Sequence, residues 1–220
     1  MLQQPPGVTA SPALSGLSLP DAELQLWPAF LAADVADRLL TELQRELPWR
    51  QDRVTVFGRE HPIPRLHSWH GDAAASYRWS GLLQEPCPWT PALDQLRRML
   101  EARLETPFNS VLANLYRDGR DRMGWHADNE PELGPEPVIA SISLGAERDL
   151  KLRYRQRSGV RQRNREQAAV PPGRSIRLPH GSLLVMSGPT QRYWQHSLPQ
   201  RLRVTRPRIN LTFRQVSVAD

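Results

Sequence analysis

From residue 108 onward the chain is a succession of short apolar runs punctuated by Gly and Pro, and this constrains the fold more than any other feature. The runs fall at 108–116, 137–144, 149–155, 174–178, 181–187, 191–196 and 208–215. Gly and Pro break them at 119, 134–137, 159, 171–173, 179–181 and 188–189. Runs of this length with such boundaries are strand signals. Many short strands after a helical lead suggest a mainly β fold, a double-sheet jelly roll (double-stranded β-helix) with helices packed outside.

Two helices are expected ahead of the strands. Asp34 can cap one over 34–47, with Val35, Leu39, Leu43 and Leu47 recurring on one face. Thr90 can cap another over 91–104, with Pro91 in its first turn and Leu93, Leu96, Leu100 and Leu104 inward. Residues 1–20, rich in Pro, Ser and Gly, are expected to be a flexible lead. The chain of 220 residues is long enough for one domain with a real core, placed at 21–220.

Hydrophobic residues make up 39% of the chain, as suits a soluble globular protein. No apolar run approaches the roughly 18 residues a membrane helix needs, so no membrane partner is expected. The start, Met1-Leu2-Gln3-Gln4-Pro5-Pro6, lacks the basic and apolar blocks of a secretory signal. Cys87 is the only cysteine, so no internal disulfide can form, and it has no visible catalytic partner. The expected location is a bacterial cytoplasm, or a nucleus if the source is eukaryotic, and not the exterior. Net charge is +6, carried almost wholly by arginine, since Lys151 is the only lysine. That bias fits nucleic-acid binding and fits a base-composition bias equally well. Nine arginines lie in 148–177, and the middle of that segment, 156–169, is expected to be a mobile loop. Such a run is most often a solvated face; beside a DNA-processing site it would grip phosphates.

The chemistry concentrates late in the chain. His126 and Asp128, two apart, share a face if they lie in one strand. With His196 brought close by folding they make two imidazoles and one carboxylate, the facial triad that holds Fe(II) with open positions. His-x-Asp alone is a weak signal. Its weight comes from Arg208, Asn210, Thr212 and Arg214, which alternate with Ile209, Leu211 and Phe213. A surface strand is the plainer reading of two arginines on one face, but the flanking apolar residues suggest that both faces are covered, and buried arginines would then need an anion such as a dicarboxylate cosubstrate. Asn114 and Tyr116 share another strand face and can add neutral hydrogen bonds.

These residues resemble the AlkB family of Fe(II)/2-oxoglutarate dioxygenases. The likeness runs from about Val54 to Gln215. It includes Asn114-Leu115-Tyr116, His126-x-Asp128, Pro179-His180-Gly181-Ser182-Leu183-Leu184, His196-Ser197-Leu198-Pro199 and Pro207-Arg208-x-Asn210-Leu211-Thr212-Phe213-Arg214. The resemblance implies iron on His126, Asp128 and His196. It places 2-oxoglutarate among Asn114, Tyr116, Arg208, Asn210, Thr212 and Arg214, with Arg208 at the distal carboxylate and Arg214 nearer the metal, and it implies O2 as oxidant. It also implies a nucleotide-recognition part over about 50–107 and a jelly-roll core over about 108–216.

Within the family the chain looks most like the branch that repairs alkylated duplex DNA. Val56-Phe57-Gly58 matches that branch's hairpin, which pushes an apolar finger into the base stack, with Arg59 following. Gly71-Asp72 and Tyr77-Arg78-Trp79-Ser80-Gly81 match its base-binding segment. Trp79 stands where phenylalanine is usual, and Asn129 where a second aspartate is usual. A flipped 1-methyladenine or 3-methylcytosine is cationic, and Tyr77 and Trp79 could sandwich it while Glu130 adds a carboxylate. Core packing for Phe57, Tyr77 and Trp79, and a solvated loop for Glu130, are the plainer readings of those residues alone. Arg201 and Arg203 are expected to touch the opposite strand. The implied reaction is oxidative demethylation with release of formaldehyde, succinate and CO2, by a monomer. The alternatives are a related dioxygenase acting on RNA or protein, and a non-catalytic nucleic-acid-binding module.

Overall fold

The computed structural model of the chain describes residues 18–56, 58–75, 77–79, 82–155 and 171–217. Two antiparallel sheets form its frame, with strands numbered in chain order. The larger runs β1 (Glu23–Trp27), β12 (Ser182–Ser187), β9 (Ile139–Gly145), β14 (Arg208–Arg214), β7 (Ser110–Tyr116), β4 (Leu66–Gly71). The smaller runs β11 (Arg174–Leu178), β10 (Arg148–Tyr154), β13 (Trp194–Leu198), β8 (Met123–His126). Two hairpins stand apart: β2 (Arg53–Val56) with β3 (Arg59–Pro62), and β5 (Tyr77–Trp79) with β6 (Leu82–Gln84). The helices are α1 (Ala33–Glu46), α2 (Pro91–Leu104) and the single turn α3 (Thr190–Tyr193).

Strand alternation sorts the large sheet into two faces. Ile209, Leu211 and Phe213 of β14 and Ala140, Ile142 and Leu144 of β9 join the helix-side core, with Leu43 of α1 and Leu93, Leu96 and Leu100 of α2. Their neighbours, Arg208, Asn210 and Thr212 on β14 and Ser141 and Ser143 on β9, are also buried. These polar side chains hydrogen-bond across the two strands on the face opposite that core. A second apolar cluster closes the space between the sheets, joining Ile139, Leu184 and Met186 to Leu150, Leu152, Ile176 and Trp194. The site is therefore a polar island inside a sandwich.

α2 forms as its sequence dictates: the Thr90 hydroxyl accepts from the Leu93 N–H at 3.3 Å, and Pro91 opens the helix. α1 starts differently from expectation. Ala32 holds the cap position, and Asp34 lies inside the first turn, where Arg38 donates to it at 2.8 Å. Only Leu43 and Leu47 of its expected apolar face are fully buried; Val35 and Leu39 are partly covered. The expected 191–196 strand begins at Trp194, because Pro189 and the Thr190 hydroxyl, donating to the Ser187 carbonyl at 2.6 Å, set up a helical turn first.

Three further expectations change. The large sheet draws β1 and β4 from before residue 108. Residues 18–20 of the supposed lead are held: Leu19 is buried and the Pro20 carbonyl accepts from Trp194 Nε1 at 2.9 Å. The expected flexibility of residues 1–17 and mobility of 156–169 lie outside the described residues. Arg148 belongs to no solvated face. It is buried and donates to the carbonyls of Asp118, Asp121 and Pro199, because two loops close over it. Those loops interlock at Gly119, whose N–H donates to the Val204 carbonyl while its carbonyl accepts from the Arg201 N–H. A Cβ on Gly119 would lie 1.8 Å from the Arg201 oxygen, so only glycine permits this approach.

Candidate metal and cosubstrate centre

His126 ends β8 and pairs in register with His196 on β13. Asp128 follows two residues later, past the end of the strand, so the shared-strand argument for this pair does not hold. The loop nevertheless returns its carboxylate to the histidines. One ligand atom from each of the three side chains lies within 4.8 Å of the others. The two rings sit 4.2 Å apart, tilted by 60°. Asp128 and His196 are buried and His126 is half-buried.

The surroundings of the three suit them to one cation. His126 Nδ1 lies 2.9 Å from the Gly124 carbonyl, which only accepts. Nδ1 therefore carries the proton, leaving Nε2 to bind metal. Burial, followed by the charge on His126, pushes His196 down to about 3, so it is a neutral imidazole at physiological pH. Burial alone would raise Asp128. Arg214 and the two histidines outweigh it and hold the carboxyl at about 2. Arg214 Nη2 donates to Asp128 Oδ1 at 2.8 Å, and the Asp128 N–H donates to Gln191 Oε1 at 2.9 Å. Two imidazoles and an oriented carboxylate are a donor set that suits Fe(II), so the residues fit the metal.

Behind the triad lies a smaller inner cavity lined by Asn114, Tyr116, Arg208, Asn210, Thr212 and Arg214 together with all three candidate ligands. All six expected cosubstrate residues are thus brought together. Arg208 is the telling one. It is buried, donates Nη2 to Ser143 Oγ at 2.9 Å, and stands 5.4 Å from the Tyr116 ring. Its Nε has no partner, and among the described residues no carboxylate faces it. Burial brings its guanidinium down to about 10. A buried cation without an anion is costly unless a ligand supplies one. The Nε of Arg214 is likewise unpaired. Asn210 donates to Ser141 Oγ at 2.7 Å and accepts from Thr212 at 3.1 Å, so both are already fixed in place.

An outer cavity of about 330 Å³ opens from the same centre. His126, Asp128, Asn114 and Arg214 border both spaces, and Ile63, Arg65, His67, Trp69, Trp125 and Glu130 line only the outer one. Glu130 lines the outer cavity, while Asn129 is exposed and borders neither cavity. Arg201 is engaged by Asp149 at 3.0 Å, and Arg203 is exposed beside Arg177, His180 and Arg206. Gly58 and Arg59 are exposed at the β2–β3 turn; Phe57 lies outside the described residues. Tyr77, Arg78 and Trp79 form β5. Arg65, Gln191 and Trp125 were not anticipated. Arg65 donates to Asn114 Oδ1 at 2.8 Å. Arg65 and Gln191 have no motif around them, and Trp125, though next to His126, reads by itself as an ordinary strand residue.

The chain matches the model of the 2OG-Fe(II) oxygenase superfamily over residues 23–214. It is 43% identical over 185 residues to the DNA oxidative demethylase ALKBH2 of Mus musculus, covering 82% of this chain and 75% of that one. The Homo sapiens protein of that name is also 43% identical, over 82% of this chain and 69% of its own. The alpha-ketoglutarate-dependent dioxygenase alkB homolog 3 of Mus musculus is 40% identical over 87% and 65%. A solved structure of OsALKBH1 superposes with a TM-score of 0.60 at 16% identity, over 87% of this chain and 97% of that one, a likeness of fold alone. With its motifs in order and its triad assembled between two sheets, the chain belongs to the AlkB family of the 2OG-Fe(II) oxygenase superfamily and is an Fe(II)/2-oxoglutarate-dependent dioxygenase.

Proposed function

We propose that this chain repairs alkylated DNA by oxidative demethylation of 1-methyladenine and 3-methylcytosine, with duplex DNA as substrate and the chain acting as a monomer. The observation that carries the reading is the placement of His126, Asp128 and Arg214 at the border of two spaces, an inner one lined by His196 and the buried cation Arg208 and an outer one that is open. The relatives named DNA oxidative demethylase support the choice of substrate.

His126, Asp128 and His196 would hold Fe(II), and Arg208, Tyr116 and Asn114 would receive the cosubstrate. Iron bound there would supply, with 2-oxoglutarate and O2, the oxidising power that hydroxylates the methyl group. The protein's part is placement. Arg208 attracts the distal carboxylate by charge and by its vacant Nε–H. Arg214 holds Asp128 ionised and aimed. Glu130, on the wall of the outer cavity, favours a base that methylation has made cationic. The hydroxymethylated base then loses formaldehyde with the restored base as leaving group, so no side-chain nucleophile is needed. The β2–β3 hairpin supports a duplex substrate: Val56 pairs with Arg59, and Gly58 in the turn between them is exposed.

The test is incubation with Fe(II), ascorbate, 2-oxoglutarate and O2 on duplex and single-stranded oligonucleotides carrying one 1-methyladenine or 3-methylcytosine, read by mass spectrometry. Loss of one methyl mass that requires 2-oxoglutarate is expected, faster on duplex and abolished in His126→Ala. Succinate formation with the methyl retained on every DNA would overturn the substrate assignment and direct the search to RNA or protein.

A further inference from the structure

Trp125 is 40% exposed, and Leu202 is the other large apolar side chain left open among the described residues. Leu202 belongs to the turn between β13 and β14. Trp125 instead precedes the metal ligand His126 on β8 and borders the outer cavity. It is held there. The Arg153 guanidinium lies 4.4 Å from its ring centroid. Arg153 is fixed in turn, since Nε and Nη2 both donate to Gln195 Oε1, at 3.0 and 2.8 Å. Arg153 and Gln195 are register partners on β10 and β13. Three neighbouring strands of the small sheet thus build one indole–guanidinium stack beside the cavity.

Core packing does not account for an exposed ring, and an ordinary surface does not need a long arginine immobilised over it. Nothing among the described residues bonds Arg153 Nη1, and a guanidinium keeps its charge at any physiological pH. The stack therefore offers a π surface backed by a cation, next to a pocket bordered by the candidate ligands His126 and Asp128.

We infer that Trp125 and Arg153 form a shelf for the nucleotide next to the damaged one on the same strand, with the indole stacking on its base and Arg153 facing the phosphate. The inference rests on the nucleic-acid reading given above. A base drawn into the outer cavity leaves its neighbour with one face unstacked at the entrance. An aromatic ring placed there replaces the lost stacking without demanding a particular sequence, since every base has a π face. The positive charge beside it matches the backbone that must cross the entrance.

The test is a double-mutant cycle between protein and strand, read as binding by fluorescence anisotropy without 2-oxoglutarate and without O2. The probe is a labelled pentanucleotide with a central 1-methyladenine, intact or carrying an abasic site immediately 5′ or 3′ of the lesion. Trp125→Ala is expected to weaken binding of the intact strand about tenfold, and Trp125→Phe to retain most of the affinity. One of the two abasic strands should bind wild type about tenfold more weakly and show no further loss with Trp125→Ala. Losses that multiply, or full affinity in Trp125→Ala, overturn the shelf. If Trp125→Ala fails to fold, the abasic loss in wild type and a smaller one in Trp125→Phe serve the same purpose. Wild type that binds in this Trp125-dependent way yet leaves the methyl in place overturns the demethylase reading and keeps the shelf. Wild type that demethylates with no effect of Trp125 does the reverse.

Discussion

Arg208 is a guanidinium enclosed in a sheet with a hydroxyl for company and no carboxylate among the described residues. Its replacement by an apolar side chain should therefore have opposite effects on the empty and the loaded protein. Arg208→Met is expected to leave the thermal midpoint of the unliganded protein unchanged or raise it, since a desolvated cation is removed. The same change should abolish the stabilisation that 2-oxoglutarate confers and weaken its binding by about 2–4 kcal/mol. Melting curves with and without 2-oxoglutarate check both halves; equal destabilisation in the two conditions would mean that Arg208 serves the fold alone. This residue was legible because the alternation Arg208, Asn210, Thr212, Arg214 sets polar groups against Ile209, Leu211 and Phe213 on one strand. Arg148 was misread because it opens an arginine-rich run, and sequence cannot say that the carbonyls of Asp118, Asp121 and Pro199 close over that arginine alone. Arg65 and Gln191 gave no signal, since their partners Asn114 and Asp128 lie 49 and 63 residues away.

The elements differ in how much of their cause is local. Thr90, Pro91 and the leucine spacing specify α2 completely. β8 reads Met-Gly-Trp-His, with no apolar alternation, and exists because β13 provides its hydrogen bonds. The hairpins before residue 85 are equally short of apolar pattern. The joint between the 117–122 and 199–207 loops shows how such non-local order can hang on one residue. Gly119→Ala must push its Cβ away from the Arg201 oxygen and break the contacts to Val204 and Arg201. A loss of about 2–4 kcal/mol in urea unfolding is expected, from overpacking plus two displaced hydrogen bonds. A change below about 0.5 kcal/mol, the range of ordinary surface substitutions, would show that the joint yields freely.

For the molecule as a whole, β4 links stability to pH. His67 and His70 both lie below their ordinary value, in each case chiefly through burial. The unfolded chain then binds more protons than the folded one as pH falls through about 6.5, so acid destabilises. Each histidine contributes up to about 1.4 kcal/mol per pH unit in that window. Urea midpoints should fall between pH 7.5 and 5.5, and His67→Gln with His70→Gln should flatten the slope while lowering stability at neutral pH. An unchanged slope in the double variant would remove these two from the account. At this scale the two-sheet plan was legible from strand spacing, but its outer members were not, because β1 and β4 precede the helical segment and gave no repeat to follow. The position of β1 has a consequence in time. Among the described strands it is the first to be synthesised, yet every residue of it pairs with β12, between 156 and 164 positions later. At ordinary rates of synthesis it waits roughly 10–30 s for that partner. The sandwich cannot close this edge until β12 has been made, and β1 must stay unpaired and unaggregated until then.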